Sequence, residues 1–128
     1  MAYYVVAGGI VQCSHGGQSK IPSGNPKLQV SGNAAVTMGM EVGIPFLPLG
    51  SPPTPNNPAP CAQMLQPPAV GPSPCSATIA ATAGVSRKLT VDGVGVLLDS
   101  ASGNAINPAD PLAKWSVSTP GQQLLQEA

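Results

Sequence analysis

Large side chains are scarce in this sequence: of its 128 residues only Tyr3, Tyr4, Phe46 and Trp115 are aromatic, and most of the apolar count is Ala and Val. A core built on packed rings is therefore excluded, and apolar burial alone has little to work with. Charge is scarce too. Five basic and five acidic residues give no net charge and form no run of one sign, so nothing here would track a phosphate backbone, and nucleic acid is not an expected partner. No apolar stretch approaches the ~20 residues of a membrane span, and no stable membrane association is expected. The opening MAYYVVAGGIVQC has no basic residue ahead of its apolar run, and Val11-Gln12-Cys13 lacks the small residues of a lipid-bearing processing site. The expectation is a chain without a signal peptide, made and folded in the cytoplasm. Three cysteines, an odd number, then fit thiols or metal ligands better than a disulfide framework.

Glycine and proline are abundant. Fifteen of one and sixteen of the other argue against helices and for short strands joined by tight turns. The length suits a single domain over residues 1–128, and the sequence predicts an all-β fold in three parts and a tail. Residues 1–43 hold the candidate strands YVVAGGIVQ, KLQVS and AAVTM. Residues 44–74 carry eleven prolines and read as a long connection, neither helix nor sheet interior. Residues 75–118 return to strand character in CSATIAAT, RKLTVD and GVGVLLDS. The polar tail, 119–128, predicts one frayed turn of helix.

The two strand regions repeat one another. Lys27-Leu28-Gln29-Val30-Ser31-Gly32 is matched by Lys88-Leu89-Thr90-Val91-Asp92-Gly93, and each is followed by a short apolar run. A glycine after a polar residue between two such runs is a hairpin signal, so each unit predicts a hairpin. Cysteines precede both at nearly the same distance, Cys13 before Lys27 and Cys75 before Lys88, as a duplicated unit would place them.

That pairing bears on Cys13-x-His15, which reads as a nucleophile with its base, as half of a metal site, or as two chance neighbours. If the units pack about a common axis, Cys13 and Cys75 converge, and Cys61 in the proline-rich connection completes a set with His15, the sole histidine. Three cysteines and one histidine make a closed tetrahedral zinc shell. On an extended segment residues 13 and 15 leave the same face, about 6–7 Å apart at the ~3.3 Å rise of a strand. A structural zinc ion bound by Cys13, His15, Cys61 and Cys75 is the reading the inventory favours, with buried inert thiols as the alternative. A catalytic cysteine needs a third group to orient the imidazole and an oxyanion site. Glu41, Asp92, Asp99, Asp110 and Glu127 show no paired pattern and read as solvated turn and surface residues, so no catalytic residue and no enzyme is expected.

The hairpin VSGNAAVTMG, Val30 to Gly39, resembles the repeat of the PAAR-domain spike-tip proteins of contractile injection systems, with Asn33-Ala34-Ala35-Val36 where those proteins carry Pro-Ala-Ala-Arg. AGGIVQCSHGG resembles the opening strand and ligand-bearing turn of the same group and its PAAR-like relatives. The likeness covers both strand regions, about two thirds of the chain, and leaves out the proline-rich middle. It implies a small cone of β-hairpins with pseudo-threefold symmetry, a zinc ion near the apex held by Cys13, His15, Cys61 and Cys75, and a base seated on a trimeric spike, one chain per trimer. The ligand set departs from the commoner one, mostly histidines with one cysteine, and the arginine of the tetrapeptide is missing. Two hairpins are visible where such a cone wants three. The third face has to come from the N-terminal strand, the C-terminal strand near Trp115, or the connection. The implied role is non-enzymatic. The protein would cap and sharpen the spike of a secretion-system, phage-like or extracellular apparatus, aid envelope penetration, and be delivered outside the cell from the tip. Effector cargo is a further partner class that the resemblance admits. The alternative is a small zinc-stabilised β-rich binding module, cytosolic or secreted, with no spike partner.

Overall fold

The structure is a computed structural model that describes residues 2–30, 32–65, 71–107 and 110–127. It is all-β. Among the described residues there is no helix, and eleven strands follow one another: β1 (Ala2–Tyr3), β2 (Ile10–Cys13), β3 (Gln18–Lys20), β4 (Asn25–Val30), β5 (Asn33–Ala35), β6 (Met64–Leu65), β7 (Gly71–Pro72), β8 (Ala77–Val91), β9 (Val94–Ile106), β10 (Lys114–Thr119) and β11 (Gln126–Glu127). The largest sheet runs in the order β3-β2-β10-β9-β8, and β4-β5, β6-β7 and β1-β11 form two-stranded ribbons.

Both repeated segments form hairpins. Val30 pairs with Asn33, and Val91 with Val94, so each KLxVxG run ends one arm and the apolar run begins the next. Asp92 and Gly93 both lie at positive φ, 53° and 80°, which is the type I′ turn that an Asp-Gly pair favours. The ion pair between Lys27 Nζ and Asp92 Oδ2, 2.8 Å, joins the two hairpins, but both side chains stand in solvent and it contributes little. The segments CSATIAAT and RKLTVD, read as separate strands, run together in β8, whose ladder with β9 absorbs the mismatch through several register shifts.

Two expectations change. The run YVVAGGIVQ is broken at a turn, where Gly9 N–H donates to Val6 O, so Tyr4 to Val6 and Ile10 to Cys13 belong to different ladders. The tail is strand. β11 pairs antiparallel with β1, Ala2 opposite Glu127 and Tyr3 opposite Gln126. Gln122 makes this possible: its buried amide donates to Tyr4 O and Leu125 O while its Oε1 accepts from Leu124 N and Leu125 N.

Three short segments close on one another in a ring. Val36 N–H donates to Val5 O (2.9 Å), Val5 N–H to Leu97 O (2.9 Å) and Leu97 N–H to Val36 O (2.8 Å). Flanking bridges join Val6 to Ala35, Thr37 to Val96 and Leu98 to Tyr4, so the residue after each ring member always faces the residue before the next. All three ring side chains are fully buried.

Two apolar clusters flank this ring. One holds Tyr4, Ala35, Val91, Val96 and Leu98, with Ala2, Leu28 and Leu89 against it, at the hairpin end. The larger runs from Val5, Val36 and Leu97 through Val11, Ile21 and Trp115 to the three cysteines. Ile44, Phe46 and Cys61 of the proline-rich stretch are buried in it, and bridges tie Gln18 to Ala59 and Pro48 to Cys61. The segment therefore lines the core on one side and makes no long strand, as its missing amide donors dictate.

Candidate metal centre

Each of the four candidate ligands is placed by a different piece of chain. Cys13 ends β2, where the alternation of the strand turns Val11 and Cys13 inward. A tight turn follows, with Gly16 N–H donating to Cys13 O and Cys13 N–H to Gly17 O, and it carries His15 back over the thiol. Gly17 admits nothing larger: a Cβ there would meet Cys61 Cα at 2.9 Å and Cys13 Sγ at 3.0 Å. Cys61 is held by its N–H bond to Leu47 O, and the next amide, of Ala62, donates to His15 O. Cys75 lies just ahead of β8, its carbonyl accepting from Phe46 N.

The structure brings all four together, with one ligand atom from each within 4.8 Å of every other. Cys13 Sγ is 3.4 Å from Cys61 Sγ, Cys61 Sγ 3.9 Å from Cys75 Sγ, and Cys75 Sγ 3.6 Å from His15 Nδ1. A tetrahedral ion with bonds of about 2.3 Å to sulfur and 2.0–2.1 Å to nitrogen has edges of about 3.8 Å between sulfurs and 3.6 Å from sulfur to nitrogen. The Cys61–Cys75 and Cys75–His15 separations lie within about 0.1 Å of these edges, and the Cys13–Cys61 separation is about 0.4 Å shorter. All three thiols are free and buried, and none is at disulfide distance. The four residues could hold a metal ion.

Electrostatics point the same way. Burial, the largest influence, pushes the Cys13 thiol up to about 12, and the two neighbouring sulfurs push in the same direction. Burial raises Cys75 as well, while its bond from Asn107 works against the shift. A cation in the cluster would offset the cost of deprotonating Cys13 and Cys75, which burial opposes. Two donors already face the sulfurs: Gly17 N–H to Cys13 Sγ at 3.2 Å and Asn107 Nδ2 to Cys75 Sγ at 3.4 Å.

Three carboxylates depart from the solvated role expected of them, the first being Glu127, whose Oε1 accepts from the Tyr4 hydroxyl and from Ser86 Oγ. Asp110 Oδ2 lies 2.8 Å from His15 Nε2. Glu41 is fully buried; its Oε1 accepts from Gly39 N, its Oε2 has no hydrogen-bond partner among the described residues, and burial raises its pKa. Nothing in the sequence marked Asp110, which is 95 positions from His15. Cys75, His15 and Asp110 also lie in the order of a thiol–imidazole–carboxylate relay. Reactive cysteines are partly exposed and lowered in pKa, however, whereas Cys75 is fully buried and raised.

Comparison with protein-family models, with curated proteins and with solved structures finds no match to this chain.

Proposed function

We propose that this chain is a PAAR-like spike-tip protein of a contractile injection system: a pseudo-threefold cone with a zinc-pinned apex that caps the trimeric spike and takes no part in catalysis. The observation that carries the reading is the ring of Val5, Val36 and Leu97, each donating to the next with the same register at every joint. One asymmetric chain can satisfy three equivalent subunits only if it repeats its own base three times. The third repeat is a ribbon opened at its turn. Three residues before each ring member, Ala2, Asn33 and Val94 pair with Glu127, Val30 and Val91. Leu125-Gln126 thus stands where Leu28-Gln29 and Leu89-Thr90 stand in the closed hairpins, and the third face is built from both ends of the chain.

Leu28, Leu89 and Leu125 then occupy matching places at the hairpin end, and they are the apolar contacts we assign to the spike. Their burial and edge-strand hydrogen bonds would carry binding, with weak dependence on salt because the chain has no net charge to steer the encounter. The Cys/His cluster lies at the far end of β9, beyond Ile106, where a cone would narrow. Zinc there would replace the burial that a narrow tip cannot supply, contributing about 10–16 kcal/mol by analogy with small structural zinc sites. Assembly would take place in the cytoplasm and the working position would be the tip, with or without an effector carried along.

The test is co-expression with a cognate trimeric spike, followed by mass measurement of the complex and metal analysis. One chain and one zinc per spike trimer is the expected result. Three chains per trimer, or no complex, would overturn the spike-tip reading. No complex with zinc still bound would leave the second reading, a zinc-stabilised binding module.

A further inference from the structure

We propose that Asp110 is a positioning residue of the metal centre: by accepting the Nε2 proton of His15 it fixes the tautomer in which Nδ1 is the ligand atom. The inference rests on the reading of the cluster as a metal site, and it concerns a residue that supplies no ligand.

A neutral imidazole carries one N–H and one lone pair, and whichever nitrogen donates a hydrogen bond leaves the other for the metal. Here the two nitrogens face different partners. Nε2 is 2.8 Å from Asp110 Oδ2, an oxygen able to accept its proton in a hydrogen bond, and Nδ1 is 3.6 Å from Cys75 Sγ, the length of a tetrahedral edge between two ligands of one ion. With an ion shared between Nδ1 and Cys75 Sγ, the arrangement that satisfies both sides has the proton on Nε2 and the lone pair on Nδ1.

The carboxylate is itself held in place. Its other oxygen accepts from Leu112 N at 2.9 Å, and the turn is closed by Asp110 N–H to Asn107 O and by Ala113 N–H to Asp110 O. Asn107, at the start of the same connection, donates to Cys75 Sγ and to Ser73 O. The segment between β9 and β10 therefore gives the site no ligand but steadies two of the four, one through an amide and one through a carboxylate. It leads directly into β10, where Trp115 pairs with Cys13, so its position is tied to a third ligand through the sheet. Such outer partners orient a histidine ligand and increase its basicity, and their loss typically costs about 10–100-fold in metal affinity.

Asparagine at this position tests the idea at fixed size. If its oxygen keeps the Leu112 bond, its NH2 faces Nε2 and drives the proton onto Nδ1, which blocks the ligand atom. If it turns round, the turn bond is lost. Cobalt(II) is the probe, since thiolate-to-metal and ligand-field absorption reports a tetrahedral sulfur-rich site, and affinity follows from competition with a chelator. Asp110→Asn should weaken cobalt binding by about 10–100-fold. In a His15→Cys background, which offers four sulfurs and no imidazole to orient, the same substitution should change affinity by less than about 2-fold. Nitrogen-15 spectra of the zinc-loaded wild type should show His15 protonated at Nε2 and bound through Nδ1. Binding through Nε2, an unchanged affinity in Asp110→Asn, or an equal loss in the His15→Cys background would overturn the proposal while leaving the metal site in place. A wild-type chain that takes up neither cobalt nor zinc would remove the metal reading and this inference with it. Should Asp110→Asn fail to fold, the wild-type spectra decide alone.

Discussion

At the hairpin end, three backbone segments hold one another by amide-to-carbonyl bonds over apolar side chains, and the β4-β5 and β8-β9 hairpins end in tight turns. At the far end of β9, three sulfurs and an imidazole from well-separated stretches are drawn into one cluster, where burial opposes the thiolate form of Cys13 and Cys75. The first arrangement is complete as it stands, every donor in the ring having its acceptor. The second could hold a metal ion. The backbone ring and the Cys/His cluster thus mark the two ends of the molecule, and each can be disturbed with the other as internal control.

The largest effect is expected from Cys61→Ser, which removes a ligand carried by the proline-rich stretch. Metal retention should fall and stability should drop by several of the ~10–16 kcal/mol typical of a structural zinc site. Amide exchange should quicken across residues 44–65 and 71–76 while Val5, Val36 and Leu97 stay protected. Equal loss at the ring would mean that the two ends unfold as one unit and that the division drawn above is false.

A smaller and opposite disturbance is Leu97→Ala. It leaves the ring's backbone bonds in place and opens a cavity beneath them, at a cost of about 2–5 kcal/mol in denaturant unfolding. Zinc stoichiometry of the folded protein should remain that of the wild type. Loss of metal in this variant would show that the ring sets the ligand geometry.

The smallest effect concerns Glu41, on the turn that leads from Val36 toward Ile44 and so joins the two ends. Its pKa is raised above 4.5 by burial, so the folded state holds a proton that the unfolded chain releases as pH climbs. Stability is then fully kept below about pH 4.5 and declines above it, toward the folded pKa. Glu41→Gln should raise the melting temperature at pH 7 and make no difference at pH 4. A variant less stable at both values would mean that the ionised carboxylate has a partner in solution.

Much of the candidate site was legible because its residue types are so few: with three cysteines and one histidine, inventory alone named the cluster. The hairpins were legible from KLxVxG and its Asp-Gly turn. The ring was not, since it is made of backbone groups of Val5, Val36 and Leu97, residues with no mark that distinguishes them from other apolar positions. The β1-β11 ribbon left an echo of only two residues, Leu125-Gln126 against Leu28-Gln29. QQLLQE meanwhile has good intrinsic helix propensity, and pairing with β1 overrides it. Asp110 escaped for a similar reason. Its partner lies on a distant turn, and a single carboxylate in a polar loop carries no periodic signal.

The open ribbon also bears on how the chain is strung. Because Glu127 and Ala2 face each other as Val30 faces Asn33 and Val91 faces Val94, a link of two residues from Glu127 to Ala2 would turn the β1-β11 ribbon into a hairpin of the same register. With that link in place, a break at 31–32 or 92–93 would preserve every pairing. The order of these pairings along the chain can thus be permuted while their geometry stays the same.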